Sequence, residues 1–391
     1  MKYTMIFLSL LISLCSAKTR QNNPLWQRLG KSPGNTSLLL SIALQSNTSH
    51  LHHQVRTRSE LSSLEYGKYL NNSAIHEMLH DPVTMALWDD FLQTFETKKR
   101  NDNEKYNVYW TNKHADIIYL WLTMDKIEEI FQSEMYIHQH TDTKDILHRS
   151  STEIKLPKNV EDTILFLDGL DNFPTTMQMQ LRSGNKKSKY QYPDKRDQDP
   201  VVTGNYIRTL YNVPAGAAAT SSENSLLIGS FLHEYYSKED LITYLNMHSV
   251  PVTSLPDVKE SCTSTGSPTS EASLDVQVAL GVSWSSHSSV FCYDTLRNNN
   301  QVFSDANQEP FLKFMREING LETPPLVVSI SYSDDECAIP KDYAQAVNNE
   351  FMKAALKGIT ILVASGDNGV LGSDISSECT GDTSCNYFQV C

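Results

Sequence analysis

The sequence has no surplus of positive charge: 33 lysines and arginines face 46 aspartates and glutamates, for a formal net charge of -13. That deficit argues against a nucleic-acid partner, because binding a polyanion needs a basic face that displaces counterions. Beyond its first residues the chain has no apolar stretch long enough to span a bilayer, so no membrane span is expected. Cysteine is missing from Lys18 to Gln180, and the six that follow Cys15 (Cys262, Cys292, Cys337, Cys379, Cys385 and Cys391) never form a CxxC pair, which speaks against a structural zinc site. Histidine shows the reverse bias. Nine of twelve lie between Lys18 and Gln180, leaving only His233, His248 and His287 in the C-terminal half. A histidine-based nucleophilic triad there has little to draw on.

What is present begins with a leader. Lys2 precedes an apolar run from Met5 to Leu14, and Cys15, Ser16 and Ala17 place small residues where a signal peptidase reads. Residues 1–17 are therefore expected to be a signal peptide, cleaved after Ala17, with the mature chain in a lumen or outside the cell. Asn35-Thr36-Ser37, Asn47-Thr48-Ser49 and Asn71-Asn72-Ser73 are glycosylation acceptors on that route. Six remaining cysteines in an oxidising compartment suggest disulfides, whose pairing one sequence does not give.

The 391 residues, 40% hydrophobic and 20% charged, suit a globular protein of two or three domains. Residues 18–181 alternate helix-like and strand-like stretches. Asp116 to Leu122 and Thr163 to Leu167 are strand candidates, and Thr123 is placed to cap the helix that follows. His138 and His140 read as alternation on one strand face rather than as a metal pair. Residues 182–200 form a polar, basic stretch with Gly and Pro, expected to be an exposed, cleavable linker. Residues 201–391 change to an α/β pattern. Ser225 to Ile228 and Leu326 to Ser331 read as buried strands, Ile359 to Ala364 as the next apolar strand, and Lys238 to Met247 and Asp342 to Lys357 as helices, with Gly358 as a C-cap. Strand, helix and strand in this order predict parallel strands with a right-handed crossover.

Two places could carry chemistry. Asp367 follows directly on the last strand, in Ala364-Ser365-Gly366-Asp367-Asn368-Gly369. Open α/β sheets bind ligands beyond the carboxyl ends of their strands, and glycines there let a substrate backbone come close. Glu271 and Asp275, four residues apart, share one face of a helix near its N-terminus. Two neighbouring carboxylates repel, so one pKa rises and the pair works best in acid.

Glu271 to Gln277 (EASLDVQ), Ala364 to Gly369 (ASGDNG) and Ser329 to Glu336 (SISYSDDE) resemble motifs of the sedolisin family of serine-carboxyl peptidases. Leu61 to Leu70 (LSSLEYGKYL) is similar to a stretch of that family's activation propeptide, and Asn205 to Val213 (NYIRTLYNV) to its mature N-terminal segment. The resemblance implies a ferredoxin-like α+β propeptide at 18–181 that inhibits its own enzyme. It also implies a subtilisin-like, doubly wound parallel-sheet peptidase domain at 201–391, C-terminally incomplete, acting on peptides or proteins in an acidic, lysosome-like or extracellular setting. By position Glu271 matches the general base, Asp275 the carboxylate that orients it, and Asp367 the oxyanion-hole aspartate.

The chain departs from the family in three respects. It has no Gly-Thr-Ser segment for the nucleophile, and Gly381-Asp382-Thr383-Ser384-Cys385 lacks the right framing. The family's calcium ion is implied as a cofactor, but its ligands are expected beyond Cys391. Ser333 stands where the family has glycine after Ser-Tyr. A pepsin-like protease would need two Asp-Thr/Ser-Gly loops, and Asp168-Gly169 is not one. The alternative of another class is a non-catalytic secreted protein whose propeptide-like half binds or inhibits related peptidases.

Overall fold

The computed structural model describes residues 26–101, 106–141, 144, 146–171, 173, 202–214, 216–217, 225–231, 234–252, 254–260, 268–285, 287–293, 311–332 and 341–365. Residues 1–17, the linker at 182–200, Ser333, Asp367, Ser384 and every cysteine except Cys292 lie outside them.

The N-terminal half runs β1 (Trp26–Lys31), β2 (Ser37–Leu44), α1 (Thr48–Ser59), α2 (Asn72–Leu79), α3 (Pro82–Gln93), β3 (Lys98–Lys99), β4 (Val108–Thr111), β5 (Ile117–Thr123), α4 (Met124–Phe131), β6 (Met135–His140), β7 (Ile146–Ser150), α5 (Lys158–Glu161) and β8 (Ile164–Asp168). Its main sheet has the order β3-β4-β5-β2-β8, in which β4, β5, β2 and β8 are antiparallel neighbours. That is the split-βαβ order of a ferredoxin-like unit. A second antiparallel sheet, β1-β6-β7, extends it.

Side chains start three of the helices: Asn47, Asn71 and Asp81 accept from the backbone N–H groups of His50, Ala74 and Val83. Thr123 behaves differently from the sequence expectation. It occupies the N-cap position of α4 but makes no side-chain cap bond. Its N–H and hydroxyl donate to Asn107 Oδ1 at 3.2 and 3.4 Å. The first helical N–H groups, of Met124 and Asp125, are met instead by the carbonyls of Thr36 and Gly34 at 2.8 and 3.1 Å. A neighbouring turn thus does the work of a cap. His138 and His140 are both buried on β6, against the rings of Phe173 and Trp26.

The second half runs α6 (Gly204–Leu210), β9 (Leu226–Phe231), α7 (Lys238–Met247), β10 (Asp257–Glu260), α8 (Ser270–Ser283), β11 (Ser288–Tyr293), α9 (Phe311–Gly320), β12 (Val327–Ile330), α10 (Lys341–Leu356) and β13 (Thr360–Val363). The five strands are parallel, in the order β10-β11-β9-β12-β13. From β9 the chain goes to the edge at β10 and fills the gap with β11, then crosses to the other side of β9 for β12 and β13. Alternation along β9 explains why that strand is buried throughout. Leu226 and Ile228 join a cluster with Leu241 of α7 and Val276 and Leu280 of α8, whereas Leu227 and Phe231 join Phe314 and Met315 of α9 and Ala354 of α10. Helices therefore cover both faces. Cys292 of β11 is buried in the first cluster and is disulfide-bonded.

Helix α10 belongs to two cores at once. Its Ala354 faces the parallel sheet, while Tyr343, Ala346 and Val347 pack with Ala43 of β2 and Phe166 of β8. Nearer its end, Met352 and Leu356 pack with Leu51 of α1 and Ile75 of α2. On β2, Leu38, Leu40 and Ile42 point the other way, into the first half's own core with Trp88, Leu120 and Phe131. Between the halves Lys353, with 0% exposure, pairs at 2.6 Å with both Asp116 and Glu350.

Gly358 ends α10 with φ +82°, and a Cβ there would fall 2.5 Å from the Tyr69 ring. One residue on from Tyr69, Leu70 N–H donates to Leu356 O at 2.7 Å. Gly358→Ala should therefore destabilise the protein by about 1–3 kcal/mol, through a left-handed backbone and a lost fit. Denaturant unfolding checks this. Adding Tyr69→Ala should recover the steric part and leave the backbone part.

Candidate active site

The carboxyl ends of the parallel strands meet the start of α8. Glu271 lies in the first turn of that helix and Asp275 one turn later. The approach to the helix is fixed by the segment after β9. Thr269 N–H donates to Tyr235 O at 2.7 Å, and Tyr235 N–H donates to Thr269 Oγ1 at 3.1 Å. Ser237 N–H donates to Ser273 Oγ at 3.3 Å. Thr269 spends its hydroxyl on Tyr235 and makes no side-chain cap bond within α8.

The far end of α8 is clamped from α6. Arg208 donates to the carbonyls of Val282, Pro214 and Ala217 at 2.6, 3.3 and 2.5 Å. Its guanidinium lies 3.7 Å over the Trp284 ring. A Cβ on Gly204 would sit 2.4 Å from Gly281 O, so the two helices approach as closely as glycine permits. The two acids thus stand on a helix held at both ends, which is how a rigid element gives a site its precision.

Burial raises the Asp275 carboxyl to about 6, and the charge of Glu234 adds to the rise; a hydrogen bond with Ser331, just past β12, works against it. Glu234 follows β9, and its Oε2 is buried with no hydrogen-bond partner among the described residues. Sequence reasoning had looked to Glu271 for the like charge on Asp275 and did not single out Glu234. The available signal was position alone: an acid just past the carboxyl end of a buried strand. Asp367 comes two residues after Ser365, the last described residue beyond β13, and lies outside the described residues. Among the described residues no group of three or more His, Cys, Asp or Glu side chains could hold a metal ion.

A carboxyl that titrates near 6 is largely protonated at pH 5 and able to donate a hydrogen bond there. Its folded value lies above the ordinary 3.8, so folding is favoured by the protonated form below 3.8 and loses that contribution as pH rises through about 6. Glu234→Gln should move the Asp275 titration downward and lessen the loss of stability across that window. Carboxyl-carbon NMR of labelled aspartate follows the first effect and denaturant melts at several pH values the second. An unmoved titration would remove Glu234 from the site.

Residues 24–173 match the family model described as the pro-kumamolisin activation domain. Tripeptidyl-peptidase 1 of Mus musculus is 28% identical over 357 residues, covering 88% of this chain and 58% of that protein. The Homo sapiens tripeptidyl-peptidase 1 is likewise 28% identical, covering 88% of this chain and 59% of that protein. The chain thus spans somewhat under three-fifths of the length of these relatives. A solved structure of Pseudomonas sedolisin, a serine-carboxyl proteinase complexed with two molecules of pseudo-iodotyrostatin, matches at TM-score 0.32 and 20% identity, covering 43% of this chain and 45% of that one, too slight a likeness to carry weight. The chain is thus similar to an activation domain of this kind over residues 24–173, and to tripeptidyl-peptidase 1 along most of its length, which supports a relationship to the sedolisin family.

Proposed function

We propose that the chain is part of the precursor of an acid-acting serine-carboxyl peptidase that hydrolyses peptide bonds in the manner of a tripeptidyl-peptidase. The observation that carries this reading is Asp275: a carboxyl raised to about 6, on α8 at the carboxyl ends of parallel strands. Glu271 is the general base. It takes the proton from a serine hydroxyl as that oxygen attacks the scissile carbonyl, and it returns the proton to the leaving amine. Asp275 orients Glu271. Asp367, protonated, donates a hydrogen bond to the oxyanion that forms on the carbonyl oxygen. The serine comes from a Gly-Thr-Ser segment that these 391 residues do not contain. The family's calcium ion would be held by residues outside this chain, and no step here depends on it.

The reversal of winding at β9, with helices on both faces, supports a subtilisin-like sheet that further strands complete. The first half acts as an inhibitor in cis until the linker at 182–200 is cut in acid. A leader at 1–17 would route the chain to a lysosome-like lumen or the exterior. No described helix is long and apolar enough to cross a membrane. Asn35, Asn47 and Asn71 are all exposed and so open to glycosylation there.

The test begins with the reading frame past Cys391, which should continue into a Gly-Thr-Ser segment. The full product, incubated at pH 4–5, should be cut between residues 182 and 200 and then release peptides from the N-termini of substrates. Glu271→Gln should lower kcat by about 10²–10⁴-fold. N-terminal sequencing and product mass spectrometry read these outcomes. A stop codon after Cys391, with a product that binds related peptidases and cleaves nothing, would overturn the enzyme reading in favour of a binding protein.

A further inference from the structure

The seam between the two halves gathers titratable groups that the proposed reaction does not use. His114, in the turn between β4 and β5, is 2% exposed. Its Nε2 lies 3.2 Å from Asn72 Oδ1. The same oxygen accepts from Lys357 Nζ at 2.8 Å, and Lys357 also donates to the carbonyls of Asn319 and Leu321 at 2.6 and 3.0 Å. Asn72 Nδ2 donates to Leu321 O at 3.3 Å. The first half therefore supplies His114 and Asn72, and the second half supplies Lys357 and the carbonyls, to one buried polar joint.

Charges face His114 from every element packed on it. Asp116 comes from its own turn, His76 from α2, Lys353 from α10 and Lys357 from just past its end. Glu350 stands behind Lys353, and Lys113 pairs with Glu322 at the rim. His76 Nδ1 lies 3.1 Å from Lys113 O, and its ring stacks on His80 with centroids 4.9 Å apart. With His114 neutral, Lys113, Lys353 and Lys357 balance Asp116, Glu322 and Glu350. Protonating His114 breaks that balance in the positive direction.

We propose that this joint is the proton-sensitive clasp between the two halves, and that protonation of His114 is what loosens it. The proposal rests on the reading of the first half as a prodomain that must come away. Burial, Lys353 and Lys357 hold the docked imidazole down to about 4, against the opposing pull of Asp116. In the undocked state His114 regains its ordinary value of 6.5. Above 6.5 the imidazole is neutral in both states and docking is at full strength. Between 6.5 and about 4 the undocked form takes a proton that the docked form refuses, so opening grows as pH falls. Below about 4 both forms are protonated and the effect ends. Asp116 is not the trigger in this window. Burial would raise its pKa, but Lys353 prevails and keeps it below the usual carboxylate range. Lys357, lowered by burial to about 8, is already charged throughout.

Hydrogen exchange of the full chain, read on the peptide spanning residues 341–356 and corrected for intrinsic rates, measures opening without any substrate. Opening should rise on the order of tenfold between pH 6.5 and pH 5 in the wild type. His114→Gln keeps a polar partner for Asn72 and should lose most of that rise. Lys357→Met, which removes one of the smaller influences holding the docked imidazole down, should flatten it in part. Wild-type opening that ignores pH, or a His114→Gln slope equal to wild type, overturns the proposal. Should the variants misfold, an NMR titration of His114 in the wild type decides it: a midpoint near 4 supports the clasp and one near 6.5 refutes it. Peptidase activity enters none of these readouts, so loss of the enzyme reading would be seen separately.

Discussion

The ammonium of Lys353 has no contact with solvent, and the joint between the halves is built around that fact. An ion taken out of water costs several kcal/mol unless its partners are close and well placed. One of those partners, Glu350, comes from its own helix a turn earlier; the other, Asp116, comes from the first half and is itself steadied by Asn112 Nδ2 at 2.8 Å. Only one docking register gives Lys353 both carboxylates. The apolar clusters on either side of it supply attraction that is far less particular about register. The buried triad thus selects the arrangement that the apolar contacts hold.

That arrangement puts the two functions of the second half on opposite faces of its sheet. Helix α8, with Glu271 and Asp275, packs with α7 on one face; α9 and α10, on the other, receive the first half. Strand β9 touches both layers, through Leu226 and Ile228 on one side and Leu227 and Phe231 on the other. The body of the first half therefore holds the enzyme-like half from behind. The long-range hydrogen bonds between halves agree with this, since Arg316 of α9 donates to Ser41 Oγ and Asn349 of α10 to Ser46 Oγ, at 2.9 and 3.0 Å.

Much of the fold was legible because it is written in local periodicity. The apolar runs at Leu326 and Ile359 and the helical spacing of Tyr343, Val347 and Phe351 announce β12, β13 and α10, and Gly358 marks the turn between the last two. The candidate site was legible in part. Glu271 and Asp275 stood out because their spacing is helical and their motif resembles a family's. Glu234 did not, since a lone acid after a strand means nothing until the segment after β9 is tied to the start of α8 and comes beside Asp275. Thr123 misled for a related reason: its hydroxyl was bound by Asn107, sixteen positions earlier, which no cap pattern records. The polar joint at His114 joins side chains more than two hundred positions apart, and a single sequence carries no trace of such pairs.

The double membership of α10 has a consequence for assembly. In the joined protein Tyr343, Ala346, Val347, Met352 and Leu356 are buried by the first half. Were the first half to depart, that side of the helix would become a contiguous greasy strip facing water, of the kind that invites self-association. During synthesis the order is favourable, because β2, β5 and β8 emerge from the ribosome before α10 and stand ready to receive it. The first half then serves as a mould on which the later helix sets, and its removal would leave a product that must be kept apart from its own copies.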